Sequence, residues 1–80
     1  MEGRMEELKT GWFGSLEDLR DEINYTYEDC DILELNEECV VIAYEEDGES
    51  IQECYELNVT YRNGRPSTIT LGDMIHQERL

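Results

Sequence analysis

An α+β fold, with one N-terminal helix packed on a four-strand antiparallel meander sheet, is predicted by three observations. Leu16, Leu19, Ile23 and Tyr27 recur at spacings of three, four and four, which draws one apolar stripe on a helix. From Asp31 onward the apolar period shortens to two, the mark of strands with one buried face. Asp47-Gly48 and Asn63-Gly64 interrupt that alternation with dipeptides that favour tight hairpin turns. Eighty residues accommodate one domain, 1–80, close to the lower size at which a single core holds a fold without staples.

The elements follow in chain order. Residues 1–10 show little apolar periodicity and are expected to be frayed, with one helical turn around 5–8. Gly11-Trp12-Phe13-Gly14 then sets the only Trp beside the only Phe. It reads either as an aromatic plug closing one end of the core or as an exposed binding hot spot. Ser15 has the character of an N-cap, with Asp18 three residues on and with Phe13 and Leu19 near the positions of a hydrophobic staple, so the helix is placed at 15–28. Its far face carries Glu17, Asp18, Asp21, Glu22 and Glu28. The pairs Glu17/Asp21 and Asp18/Glu22 repel at i,i+4 spacing, where lysines would have stabilised the helix.

Strands are expected at 31–35, 39–46, 50–61 and 67–71, within a sheet spanning 31–71. A two-residue Asn36-Glu37 loop puts Leu33 opposite Val40 and Leu35 opposite Glu38. A two-residue Asp47-Gly48 loop puts Tyr44 opposite Ile51, Ile42 opposite Glu53 and Val40 opposite Tyr55, leaving Glu53 as a misfit on the core face, near an edge or reaching water. For the last hairpin a three-residue loop, 63–65, pairs Val59 with Ile69 and Leu57 with Leu71, whereas a two-residue turn opposes Ile69 to Asn58. Burial outweighs the local turn preference, so the longer loop is expected. Gly72 and Asp73 then end the sheet, and 74–79 forms a short C-terminal helix capped by Asp73 within a tail at 73–80. The outer sheet face, with Ile32, Glu34, Cys39, Val41, Ala43 and Cys54, is too apolar to stand bare. Either the N-terminal segment with Trp12 covers it or a second copy does, which makes it a site for homodimerisation.

Charge is distributed unevenly. Residues 17–56 hold sixteen of the 21 acids and one base, Arg20, a net of 1 − 16 = −15, while the other forty residues carry five of each sign. Direct nucleic-acid binding is disfavoured, because such affinity rests on Lys and Arg at phosphates. No apolar run reaches the roughly 18 residues that cross a bilayer, and anionic headgroups would repel this surface, so membrane association is not expected. Cys30, Cys39 and Cys54 are too few for a disulfide framework and no secretory signal is evident, which suits reduced thiols in a cytoplasmic protein.

No motif for catalysis, cofactor or metal binding emerges. A calcium loop counted from Asp29 has Leu33 where an oxygen ligand belongs and Glu34 where glycine belongs. The cysteines are nine and fifteen apart rather than in close pairs, and nothing in the sequence ties His76 to a nucleophile. The chain is therefore read as a non-enzyme that meets something positive. The expected contacts are Glu17, Asp18, Asp21 and Glu22 on the helix, Glu37 and Glu38 on a loop, and Glu45, Glu46, Asp47 and Glu49 at a hairpin tip. Alternate residues on a strand face lie about 6.6 to 6.8 Å apart, and helical i,i+4 carboxylates about 5 to 6 Å apart. Both separations are of the order of phosphate spacings on a nucleic-acid strand. Arg62 and Arg65 flank the opposite hairpin tip and offer a second contact point.

In size, charge and a helix-plus-antiparallel-sheet layout the chain resembles the small acidic inhibitors encoded by phages and mobile elements, anti-CRISPR proteins among them. That resemblance implies a nucleic-acid mimic in the basic groove of a nucleic-acid-binding protein such as a CRISPR effector nuclease. Two other readings compete with it: an immunity protein or antitoxin that shields a toxin, and a structural or accessory dimer that uses the outer sheet face.

Overall fold

The computed structural model describes residues 3–79. Four strands hydrogen-bond in chain order: β1 (Asp31–Leu35), β2 (Cys39–Glu46), β3 (Glu49–Arg62) and β4 (Arg65–Arg79), every neighbouring pair antiparallel. A helix, α1 (Leu16–Thr26), precedes them, and a 3₁₀ helix, Glu6–Thr10, precedes α1. This is the N-terminal helix and antiparallel meander that the sequence predicts. The molecule measures 45 × 23 × 20 Å.

Ser15 caps α1 as expected, its Oγ accepting from the Asp18 N–H at 3.1 Å, and the helix ends at Thr26, where the Tyr27 N–H still bonds back to the Ile23 carbonyl. Leu19 and Ile23 of the apolar stripe are fully buried, and Leu16 and Tyr27 pack at the margin of the same core. Burying each of the two central side chains contributes about 1.5–3 kcal/mol.

The β2–β3 register is the expected one, with Tyr44 opposite Ile51, Ile42 opposite Glu53 and Val40 opposite Tyr55. Asp47 and Gly48 both have positive φ, 52° and 81°, as a two-residue turn of the primed type requires. The β1–β2 register differs from the expected one. Ile32 opposes Ile42 and Leu35 opposes Val40, with a bulge that takes up Leu33. Ile32 thereby turns to the core, and Leu33, expected inside, is 54% exposed. The bulge lets both Ile32 and Leu35 face inward, which a regular strand would not allow.

The β3–β4 hairpin satisfies both demands that the sequence sets against each other. Asn63 and Gly64, at φ 55° and 75°, make a two-residue turn between Arg62 and Arg65 rather than the expected three-residue loop. A bulge at Ser67 then restores the expected pairs, Val59 with Ile69 and Leu57 with Leu71.

The C-terminal helix expected at 74–79 is not formed, because β4 runs on to Arg79. Gly72 and Asp73 together oppose Glu56, Ile75 is a second extra residue, and pairing resumes with Tyr55 to Met74, Cys54 to His76 and Ile51 to Arg79. A helix there would leave the first half of β3 paired with β2 alone and its other edge open. Gly72 is the residue the bulge needs, since a Cβ would stand 2.6 Å from Glu56 Cγ and 2.9 Å from its carbonyl oxygen.

The described part of the N-terminal segment is not frayed either. Met5 and Leu8 are buried core residues, while Met1 and Glu2 lie outside the described residues. The segment lies on the inner face of the sheet with α1, so it does not cover the outer face. Phe13 exchanges two backbone hydrogen bonds of 2.8 Å with Ile69 and packs on the core, but Trp12 is 69% exposed. The plug is thus Phe13 alone. No helix among the described residues is long and apolar enough to cross a membrane.

Candidate functional site

All ten carboxylates expected to meet a partner are exposed, but they form three clusters rather than one compact face. On α1, burial of Leu19 and Ile23 turns Glu17, Asp18, Asp21 and Glu22 to solvent. Arg20 sits among them, 3.5 Å from Glu17 and 3.9 Å from Asp21, and offsets part of their charge. Asp18 and Glu22 have no ion pair among the described residues.

The second cluster is the loop between β1 and β2. Asn36 Oδ1 accepts from the backbone N–H groups of Glu38 and Cys39 at 2.8 and 3.0 Å, and the Glu38 carbonyl accepts from Leu57 at 2.9 Å. The backbone is held on both sides while the Glu37 and Glu38 side chains point to water. Tyr61 stands beside them, and partial desolvation together with their negative charge pushes its hydroxyl pKa up. The third cluster is the β2–β3 tip with Glu45, Glu46, Asp47 and Glu49. Glu46 directly opposes Glu49, a like-charge pair that costs stability, and Arg79 relieves it by bonding Glu49 at 2.9 Å. The loop and the tip are separated by the eight residues of β2, roughly 25 Å.

Two shallow depressions adjoin these clusters. One, of about 730 Å³, runs along α1 between Trp12, Phe13 and Tyr25, with Asp18, Asp21 and Glu22 on its wall. Trp12 and Tyr25, at 69% and 83%, are the two most exposed large hydrophobic side chains among the described residues. The other, of about 400 Å³, joins Asp29 and Asp31 to Glu45 beside Tyr44 and Ser50. Asp29 is bound there by the Arg4 guanidinium, which also lies 5.0 Å from the centre of the Tyr44 ring.

Glu53 lies on the core face opposite Ile42, as the sequence predicts, but its surroundings differ from the expected edge or water. It is 1% exposed, in the middle of the inner face, neither at an edge nor in contact with water. Tyr44 and Tyr55 each donate a hydroxyl to it at 2.6 Å, the Arg4 N–H donates at 2.7 Å and Gln77 Nε2 at 2.9 Å, two donors to each carboxylate oxygen. Burial alone pushes such a carboxyl up, yet the four donors outweigh it and hold the pKa below its ordinary value. The two phenols respond in the opposite sense: burial, and then the bond to Glu53, push both well up. Tyr55 Oη also accepts from the Met5 N–H at 3.1 Å, so the carboxylate fastens the N-terminal segment to the sheet. The parity of β3 already puts Glu53 inward between Ile51 and Tyr55; the missed signal was the two inward tyrosines, Tyr44 on the neighbouring strand and Tyr55 two residues on, that can donate to it.

On the outer face, Cys39 and Cys54 are diagonal neighbours across β2 and β3, and His76 lies opposite Cys54 because β4 continues where a helix was expected. All three cysteines are free thiols. Burial pushes the Cys30 and Cys54 thiols up, away from the thiolate form that reacts.

Comparison with protein-family models, with curated proteins and with solved structures returned no match for this chain.

Proposed function

We propose that this protein is an acidic inhibitor of the anti-CRISPR kind, which lays its carboxylates along a basic groove of a nucleic-acid-processing protein in place of phosphates. A CRISPR effector nuclease is a partner of that class, and such a target implies a cytoplasmic site of action. The observation that supports the reading most directly is the set of carboxylates left free for a partner. Asp18, Glu22, Glu37, Glu38, Glu45, Glu46 and Asp47 are exposed and have no ion pair among the described residues. Their clusters are spread along a molecule 45 Å in its long dimension, a span that suits a groove rather than a point contact. Association is expected to be fast and salt-sensitive through electrostatic steering. The test is competition with DNA for a candidate nuclease. Lysine at Glu45, Glu46 and Asp47 together should abolish inhibition, and inhibition that survives the triple replacement would sink the reading.

One observation favours the accessory-dimer alternative: Val41, Ala43 and Cys54 are partly exposed on an outer sheet face that no described segment covers. Glu34, Glu45, Glu56 and Glu78 share that face, however, and two copies brought together there would oppose like charges. Sedimentation at low and high salt separates the readings, since a dimer through this face would form only when the charge is screened.

A further inference from the structure

The depression along α1 is bounded by two aromatic rings that the fold leaves largely in water. Trp12 is turned outward because its neighbour Phe13 is pinned by backbone bonds to Ile69. Tyr25 follows Glu22 by three residues and Asp21 by four, so the three share one helix face, and Asp18 continues the same stripe one turn earlier. From Asp18 to Tyr25 the stripe runs about 10 Å along the helix axis. Three carboxylates thus stand between two exposed aromatic faces.

We infer that this groove is the docking site for an arginine-bearing basic segment of the partner protein, and that Trp12 and Tyr25 are contacts as direct as the carboxylates beside them. The inference rests on the reading of the protein as a binder of a basic partner, and it names the chemistry of one contact. A guanidinium is the occupant that uses both halves of the site: its flat face stacks on an aromatic ring while its edge donates paired hydrogen bonds to a carboxylate. A lysine ammonium meets the charge but not the flat faces. A neutral apolar segment would desolvate Asp18 and Glu22 without a counter-charge, which is costly. A second copy could offer only its own few bases, and at a net charge of −15 the two chains repel each other.

Trp12 is the only tryptophan, so its emission reports on this groove alone. The intact protein is titrated with hexa-arginine and with hexa-lysine at about 50 mM salt, with total binding followed in parallel by calorimetry. A saturable change in Trp12 emission with hexa-arginine is expected, at an affinity about fivefold above that of hexa-lysine. Tyr25→Ala should weaken hexa-arginine about fivefold and Tyr25→Phe should not, since phenylalanine keeps the face. At 83% exposure Tyr25 can be replaced without loss of folding, which the thermal melt of each variant verifies. Equal affinities for the two peptides, an unchanged affinity in Tyr25→Ala, or calorimetric binding with no emission change would each overturn the inference and leave the carboxylate-mimic reading standing. Emission that changes with protein concentration alone would identify a second copy as the occupant and overturn it as well. Glu45, Glu46 and Asp47 lie outside the groove, so their lysine variants should lose nuclease inhibition and retain the arginine-dependent emission change. That contrast makes failure of the groove distinguishable from failure of the inhibitor reading.

Discussion

Glu53 is held by four donors at the centre of the inner face, and removing any of them exposes how much of the N-terminal segment's position depends on one carboxylate. Tyr44→Phe deletes a hydrogen bond to a charged group and is expected to cost about 1.5–3 kcal/mol in denaturant unfolding. Glu53→Ala leaves two phenols, an amide and a backbone N–H without an acceptor and should cost more than any single donor variant. The pH dependence has a definite sign. Glu53 has a folded pKa below its ordinary 4.5, so its contribution is complete above that value and is lost as pH falls through the lowered one. Melts of Glu53→Gln and the parent should therefore differ most at neutral pH and converge in acid. Gly3→Ala probes the same latch from the other side, because a Cβ there would overlap the Tyr55 hydroxyl, and a cost of about 1–3 kcal/mol is expected. Strand alternation made Glu53's inward position legible. Its partners were not, since Arg4 and Gln77 come from segments without apolar periodicity, one 49 residues before it and the other 24 after.

The elements that were legible are those whose local signal agrees with the burial they achieve. In α1 the cap, the stripe and the acidic far face all point one way, and Ser15→Ala should cost about 1 kcal/mol by orphaning the Asp18 N–H. The β2–β3 hairpin was legible in full because Asp47-Gly48 and the alternation on both sides require the same register. Misreadings arose where a bulge breaks the count. Leu33 in β1, Ser67 near the last turn, and in β4 the Gly72-Asp73 pair and then Ile75 each shift the alternation by one. Two such shifts within four residues made 74–79 look aperiodic, and the pairing partner that makes it a strand, the first half of β3, is a nonlocal fact. The consequence is testable by ending the chain at Gly72. A terminal tail would be dispensable, whereas removal of half of β4 takes away the Gln77 bond to Glu53, the packing of Met74 and the Arg79–Glu49 pair. Against a typical total of about 5–15 kcal/mol, that loss should leave the shortened chain unfolded at 25 °C, as far-UV circular dichroism would show.

At the scale of the whole molecule, a charge of −15 on eighty residues acts on stability and on binding in opposite directions. Self-repulsion destabilises the compact state, and under the proposed inhibitor reading the same field would draw in a basic partner. Added salt screens both, since the Debye length shortens to about 10 Å at 0.1 M. Raising salt should therefore raise the melting temperature and, if the inhibitor reading holds, slow association with its target. A single residue makes the opposition sharper than salt does. Glu46 faces Glu49 across the β2–β3 ladder, and Glu46→Lys replaces a repulsive cross-strand pair with an attractive one, a gain of about 0.2–1 kcal/mol. If the hairpin tip serves as a phosphate surrogate, the same substitution puts a like charge into the partner's basic groove and should slow association, most strongly at low salt. A variant that melts higher and inhibits less would mean that this carboxylate is kept for its partner at the expense of the fold. A variant that melts higher and inhibits as before would remove Glu46 from the contact surface and return its charge to a solubilising role.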